Sequence, residues 1–138
     1  DPDFVSDVLD AELAVMQERH SVGRSILTQA GTYAPTLGVL GAVVGLIAAL
    51  GHLDDIKMLG HAIAAAFVAT ILGIFSAYVI YLPLANKLKL LSESEVSEKR
   101  MIIEGILSLQ AGDSPTAIEA KLMVFIPQSE REGLMKEG

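Results

Sequence analysis

The amino-acid sequence predicts an all-α fold: a fragment of a polytopic membrane protein, with two transmembrane helices extended by cytoplasmic amphipathic helices. Asp, Glu, Lys and Arg are absent from residues 25–53 and 58–86, and each stretch exceeds the roughly 20 residues needed to cross a bilayer. Hydrophobic residues make up 51% of the chain and aromatic residues only 5%, so small and branched aliphatic residues dominate, as in packed membrane helices. No run of alternating apolar and polar residues indicates a strand.

The first element, residues 1–29, is predicted to be a cytoplasmic amphipathic helix that leads into the membrane. Its apolar stripe at helical spacing consists of Val5, Leu9, Leu13 and Met16. Most carboxylates of this element lie off the stripe, and we interpret them as a solvated face. The chain begins with Asp-Pro rather than with Met, and we expect it to be part of a longer polypeptide.

The two uncharged stretches contain the predicted transmembrane helices, residues 30–51 and 61–86, joined by a short extracytoplasmic turn at residues 52–60. Leu, Ile, Val and Phe at a helix centre each favour insertion by roughly 0.3–0.6 kcal/mol, and many of them occur here. A soluble hairpin of this length would need protein on every side, which a chain of 138 residues does not supply. We therefore expect the hairpin to lie in a membrane.

The last segment, residues 87–138, is predicted to be a cytoplasmic helical tail. Its first part has an apolar face made of Ile102, Ile103, Ile106, Leu107 and Leu109. The sequence Gly-Asp-Ser-Pro at residues 112–115 ends one helix and begins another, because Ser caps a helix and Pro fits its first position. The inner face of that second helix is predicted to be Ile118, Leu122 and Phe125, and Pro127 ends it.

Lysine and arginine residues predict the orientation of the hairpin. They lie outside the two spans, at Arg19, Arg24, Lys87, Lys89, Lys99 and Arg100. The turn contains only Lys57, next to two aspartates. Because cytoplasmic flanks carry an excess of Lys and Arg, we expect a multi-pass protein of the cytoplasmic (inner) membrane with both ends of this segment in the cytoplasm.

Small residues in the spans predict close helix contacts. They form a GxxxG pair at Gly41 and Gly45 and a row at every fourth residue, Ala65, Ala69, Gly73 and Ala77. Helix backbones in lipid approach each other where side chains are small, so these faces predict helix partners. The pattern itself fits packing within one subunit and contacts between subunits equally.

Neither span contains Asp, Glu, Lys or Arg, so a group that carries ions by titration would have to come from elsewhere. The polar atoms within the spans are mainly hydroxyls, and Thr70 lies in the middle of the second span beside the small-residue row. Its hydroxyl can line a wet contact or bond back to its own helix, which is the commoner role of a membrane threonine.

Two prolines, Pro35 and Pro83, lie near the predicted cytoplasmic ends of the spans. Proline removes a backbone hydrogen bond, so each residue either ends a helix or forms a hinge within one. Considered alone, the simpler interpretation is that each ends its helix.

Several classes of function are disfavoured by the composition. A net charge of −7 offers no basic surface for nucleic acid, and the absence of cysteine removes thiolate and disulfide chemistry. His52 and His61 flank the outer turn at interfacial positions that do not suggest a metal site. No catalytic pattern suggests an enzyme, and no cofactor or metal is predicted.

Three blocks of sequence occur in an order that resembles a known family. They are QAGTYAPTLGVLGAVVGLIAAL at residues 29–50, the stretch at residues 60–89 that ends in YLPLANKLK, and EGILSLQAGDSP at residues 104–115, which is followed by IEAKL. The blocks resemble the third and fourth membrane helices and the cytoplasmic tail of MotA flagellar stator subunits, especially those of the Bacillus type. The resemblance covers nearly the whole chain.

The resemblance implies a homo-oligomeric ring, a pentamer in the family, around a MotB-like dimer in the lipid bilayer. It also implies that the partner carries the ion-binding aspartate and that the rotor protein FliG receives the torque. The family has two further membrane helices and a cytoplasmic region before this segment, and most rotor-contacting charges lie there. None of the acidic residues in the first helix is therefore assigned that role.

The resemblance also implies roles for individual residues. Thr70 matches a ring threonine that faces the partner's aspartate, and Tyr78 matches a pore-lining aromatic position. Pro35 and Pro83 match prolines that couple ion flow to movement. Sodium-driven relatives tend to have hydroxyl residues where this chain has Ala42 and Ala69, so the expected transported ion is H⁺, with Na⁺ as the second candidate.

The sequence leaves two alternatives open. An energy-transducing channel subunit of the ExbB or TolQ type shares the two-span architecture, although those families lack the PLANK ending and the EGI tail. A structural membrane scaffold would use the spans only to anchor the cytoplasmic helices.

Overall fold

A computed structural model describes residues 2–137, and no strand occurs within that range. The helices are α1 (Pro2–Leu50), α2 (Ile56–Phe75), a π-helical segment (Ser76–Tyr81), α3 (Leu82–Ala111), α4 (Pro115–Met123) and α5 (Gln128–Glu137). Two helical stretches, Asp3–Leu50 and Ile56–Ala111, are long and apolar enough to cross a membrane. The predicted all-α class with two membrane-length helices is confirmed.

Helix α1 joins the predicted amphipathic element and the first predicted span into one helix of 49 residues. Pro35 lies inside it, so the interpretation of this proline as a helix end is wrong. Around the join, side-chain hydroxyls bond back to the helix: Thr28 Oγ1 donates to the Arg24 carbonyl at 3.1 Å and Thr32 Oγ1 to the Thr28 carbonyl at 2.9 Å. These bonds satisfy hydroxyls without interrupting the helix.

The second long helix begins earlier than the span predicted at residues 61–86. The connecting turn covers residues 51–55, and the Asp55 side chain caps α2 by accepting hydrogen bonds from the backbone N–H groups of Lys57 and Met58, each at 3.0 Å. Aspartate at this position satisfies amides that lack a partner at a helix start. The helix therefore begins five residues, about one and a half turns, before the predicted span at residues 61–86.

The chain forms two compact units, one made of the residues up to His20 and from Leu90 onward, and the other of Ser21–Lys89. In the Ser21–Lys89 unit, α1 and α2 run antiparallel and touch backbone to backbone. A Cβ atom built on Gly73 would lie 2.6 Å from the Ala34 carbonyl oxygen, and one built on Gly38 would lie 2.8 Å from the Ala69 carbonyl oxygen. Glycine is required at both positions because no side-chain carbon fits between these backbones.

Alanines are the other buried hydrophobic residues of this unit. They are Ala42, Ala49, Ala66, Ala77 and Ala85, of which Ala77 is fully buried. Such an interface depends on close van der Waals contact, since it contains few large side chains.

The other unit has a conventional small core. Leu13 and Met16 of α1 pack with Val96 of α3, and Ile103 packs against this cluster. Leu13 and Met16 are the buried part of the predicted apolar stripe. The stripe prediction is confirmed at these two positions.

The junction between α3 and α4 follows the sequence prediction. Gly112 has a φ of 78°, a left-handed conformation that ends α3, and the Ser114 hydroxyl accepts a hydrogen bond from the Ala117 N–H at 3.3 Å. Pro115 occupies the first position of α4, where a missing N–H has no cost. The predicted stop and start are confirmed.

Lys121 of α4 connects the helix to α3 through polar contacts. Its Nζ donates to Asp113 Oδ2 at 2.7 Å and to the buried Ser108 hydroxyl at 3.1 Å, and lies 3.5 Å from Glu104 Oε1. The hydrogen bond from Lys121 and its positive charge hold the pKa of Asp113 below its ordinary value. The hydrogen bond to Asp113 likewise raises the pKa of Lys121. The contact therefore joins two charged groups at neutral pH.

We expect Gly73→Ala to destabilise the Ser21–Lys89 unit by about 1–3 kcal/mol, because the added carbon meets backbone atoms that cannot rotate away. Thermal unfolding of the purified protein measures the effect. Gly60→Ala is the matched control, since nothing lies within 4 Å of that position. Equal stability of the two variants would contradict the backbone contact.

We expect Lys121→Met to accelerate amide hydrogen exchange in α4 and to leave the spans unchanged. Glu119→Gln, an exposed change on the same helix, serves as the control. Because the pKa of Asp113 is lowered in the folded state, its contribution is present at neutral pH and is lost as the pH falls through that lowered value. Acidification should therefore loosen α4 in the parent protein and have little further effect in Lys121→Met.

Candidate functional site

The outer surfaces of the two spans are apolar and exposed in the single chain. Leu37, Phe67 and Ile71 are 62%, 67% and 62% exposed, and most large side chains of these helices are similar. A core helix of a soluble protein would be mostly buried. The surface therefore fits contact with lipid or with other membrane helices.

Thr70 lies on α2, close to the glycine contact, and is half-buried. Its hydroxyl donates to the Ala66 carbonyl of its own helix at 3.0 Å. Since a hydroxyl has one proton and two lone pairs, Thr70 can still accept a hydrogen bond from a second group. Of the two roles predicted for this hydroxyl, the single chain shows the bond to its own helix. The Thr70 oxygen remains a hydrogen-bond acceptor beside the row of small residues.

The other residues predicted to lie along an ion path differ in exposure. Tyr78 is 63% exposed, Ala42 is buried and Ala69 is half-buried. The Ala69 carbonyl faces Gly38 at the closest approach of α1 and α2. Tyr78 thus points away from the packed interface, whereas the two alanines belong to it or border it.

The small residues predicted for helix packing fall into two groups. Gly73 and Ala77 lie within the contact of α1 with α2 and the π-helical segment. Gly41, Gly45 and Ala65 are exposed, and nothing lies within 4 Å of a Cβ added at either glycine. The second group is available for contacts outside the single chain.

Gly38 was not among the predicted packing residues, although it faces Gly73. A signal for it exists in the sequence, because Ala34, Gly38 and Ala42 recur at every fourth residue. The neighbouring GxxxG pair gave the more familiar pattern but lies on another side of the helix. Pattern alone does not decide which of two small-residue rows meets the partner helix.

The helix does not end at Pro83. It passes from α2 through the π-helical segment into α3, where the Leu82 N–H bonds to the Ala77 carbonyl five residues back. Proline has no N–H and its ring crowds the carbonyl four residues back, here that of Val79. A π-helical turn directly before the proline widens the helix and accommodates that ring.

The π-helical segment also keeps two contacts on α1. Gly73 meets Gly38, and Leu82 meets Gly31, where an added Cβ would lie 2.8 Å from the Leu82 side chain. Nine residues of regular α-helix would turn Leu82 about 180° away from Gly73. The extra residue taken up by a π turn reduces this angle to about 80°, so both residues reach α1.

We expect Pro83→Ala to stiffen this segment. The new N–H can donate to the carbonyl of Tyr78 or Val79, so amide exchange across residues 76–82 should slow. Pro115→Ala is the control, because a proline in the first turn of a helix replaces an N–H that has no helical partner. Unchanged exchange in Pro83→Ala would show that packing alone holds the segment.

Comparisons of sequence find bacterial motility proteins among the relatives of this chain. A model of the MotA/TolQ/ExbB proton channel family matches residues 1–101. The chain is 53% identical to motility protein A of Bacillus subtilis over 136 residues, 99% of this chain and 50% of that protein. It is 34% identical to the chemotaxis protein PomA of Vibrio alginolyticus over 131 residues, 95% of this chain and 52% of that protein.

Comparisons of structure agree with the comparisons of sequence. The chain matches the flagellar MotAB stator complex of Bacillus subtilis with a TM-score of 0.87 and 53% identity, over 96% of this chain and 52% of that chain. It matches C. jejuni MotAB with a TM-score of 0.85 and 32% identity, over 93% of this chain and 50% of that chain. It spans about half the length of these relatives. By sequence and by fold, the chain belongs to the MotA/TolQ/ExbB proton channel family.

Proposed function

We propose that this chain is the membrane hairpin and cytoplasmic tail of a flagellar motor stator subunit that couples proton flow to torque on the rotor. The observation that carries the proposal is a close-packed pair of spans without Asp, Glu, Lys or Arg, in a fold that matches a flagellar MotAB stator complex. Such a pair can form the wall of an ion path but cannot supply its titrating group.

In this proposal the titrating carboxylate comes from a MotB-like dimer enclosed by a ring of these subunits. The exposed face that includes Gly41, Gly45 and Ala65 supports contacts with neighbouring helices, because small residues let backbones approach. The remaining acceptor capacity of Thr70 supports a role beside the partner's carboxylate, which can donate a hydrogen bond when protonated. The cytoplasmic tail would act on a rotor protein such as FliG.

Protons are the proposed ion. Sodium in a protein site is held by oxygen ligands, and Ala42 and Ala69 contribute no side-chain oxygen at positions on or beside the packed interface. A proton needs only a carboxylate and hydrogen-bond partners, which the proposed partner and Thr70 provide.

Movement is proposed to pass through the proline positions. Pro35 and Pro83 each remove one backbone hydrogen bond from a helix that otherwise continues. The two positions are close in the hairpin, because Gly31, one turn before Pro35, packs against Leu82, which precedes Pro83. Both helices are therefore weakened at one level, where loading and unloading of the partner's carboxylate could bend them together.

An ExbB- or TolQ-type channel subunit belongs to the same family, so the family match alone does not separate the two functions. The names of the relatives favour the stator, since the chain resembles motility protein A and PomA at 53% and 34% identity. Both structures described above are MotAB complexes.

Rotation of tethered cells tests the proposal. Cells that lack their own stator would receive the native-length polypeptide and its MotB-like partner in sodium-free medium, followed by a protonophore. We expect rotation that stops when the protonophore is added. Rotation only after addition of sodium would contradict the ion, and no rotation despite an assembled complex and a compatible rotor would favour the ExbB or TolQ alternative.

In the same assay we expect Thr70→Ala to reduce torque while the complex still assembles. Thr70→Ser keeps the hydroxyl and should retain most torque. Since alanine is a good helix former, the loss would not reflect a broken helix. Equal torque in both variants would remove Thr70 from the ion path.

A further inference from the structure

The Ser21–Lys89 unit contains a polar groove that the proposed ion path does not use. It lies between α1 and the first turns of α3 and has a volume of about 600 Å³. Its polar lining consists mainly of Arg24, Ser25, Thr28, Gln29, Asn86 and Lys89. We propose that this groove binds the headgroup of an anionic phospholipid that carries free hydroxyls, such as phosphatidylglycerol.

The position of the groove along the chain points to a lipid. Arg24 is the last charged residue before the first uncharged stretch, and Lys89 lies two residues beyond Lys87, the first charged residue after the second stretch. The groove therefore lies where both helices leave the apolar zone, which is the depth of lipid headgroups. Exposed Val22 and Ile26, which are 57% and 64% exposed, offer apolar surface beside it.

The charges in the groove favour an anion. Arg24 is half-buried, and within residues 2–137 its guanidinium makes no ion pair. Lys89 adds a second positive charge, and the described lining contains no carboxylate. Gln29 and Asn86 add amide donors. A phosphate group suits this set, because guanidinium and amide N–H groups bind its oxygens directly.

The hydroxyls in the groove favour a ligand that also donates hydrogen bonds. Ser25 Oγ donates to the Val22 carbonyl at 2.8 Å, and Thr28 Oγ1 donates to the Arg24 carbonyl at 3.1 Å. Their single protons are thus in use, and only their lone pairs face the groove. A headgroup with a phosphate and free glycerol hydroxyls matches both the cationic and amide donors of the groove and its hydroxyl acceptors. A phosphatidylserine headgroup also donates hydrogen bonds, through its ammonium group, but that group brings a positive charge next to Arg24 and Lys89.

The inference rests on the proposed orientation of the hairpin, with the groove at the inner leaflet, and not on torque. Its test therefore uses the native-length complex with its MotB-like partner, reconstituted in phosphatidylcholine vesicles. Spin-labelled phosphatidylglycerol, phosphatidylserine and phosphatidylcholine are added in separate samples, and the immobilised fraction of each is measured. A failure of rotation in cells would leave this measurement unaffected.

We expect phosphatidylglycerol to be immobilised in preference to the other two lipids. Arg24→Gln should weaken this preference roughly five-fold, as expected for the loss of one interfacial cation. Lys87→Gln removes a charge from an adjacent position that does not line the groove, and should have a smaller effect. The double variant Ser25→Ala/Thr28→Ala should reduce the preference for phosphatidylglycerol over phosphatidylserine, while both remain above phosphatidylcholine.

Three outcomes would overturn the inference. Equal losses in Arg24→Gln and Lys87→Gln would show diffuse surface electrostatics rather than a site. Displacement of phosphatidylglycerol by inorganic phosphate would identify a site for a free anion. No preference among the three lipids would show that the groove is covered by another subunit or is empty of lipid.

Discussion

The arrangement of the hairpin depends on one contact, at which the backbones of α1 and α2 touch at Gly38 and Gly73. The distances to the Ala34 and Ala69 carbonyls leave no room for a side-chain carbon. Because lipid provides no hydrophobic force between apolar helices, close approach of the backbones is the main source of attraction. This contact fixes the separation of the helices and hence the packing of Gly31 against Leu82. The polar groove then opens where the small residues give way to Arg24 and Asn86.

The two units satisfy their polar side chains in different ways. In the Ser21–Lys89 unit, the hydroxyls of Thr70 and Ser76 bond to the backbone of their own helix. The other unit uses charged side chains for packing, as in the contact of Lys121 with Asp113. Charge pairs suit the aqueous side, and self-satisfied hydroxyls suit an apolar surround where an unpaired polar group is expensive.

Much of the architecture follows from the sequence alone. Uncharged stretches of membrane length, the Ser114 cap and the apolar stripe at Leu13 and Met16 are local signals, and the structure contains each of them. The residues of the interface between the spans were harder to predict. Two rows of small residues on α1 could each face α2, and only the three-dimensional contact identifies Gly38 as the residue that does. The π-helical segment accommodates the ring of Pro83 and lets Leu82 contact the distant Gly31, so no local sequence pattern predicts it. The proposed ion path needs a group from another chain, so this sequence contains only part of such a site.

The π-helical segment has a consequence for how this part of the gene can change in length. Because the segment already holds one extra residue, loss of a single codon between Ser76 and Tyr81 would return it to regular α-helix and leave Leu82 at about 80° from Gly73, as it is now. A single-residue insertion would instead turn the residues that follow by about 100° relative to α2. Leu82 would then leave Gly31, and the buried Ala85 would rotate toward the surface. This stretch should therefore tolerate the loss of one residue over evolution but not the gain of one.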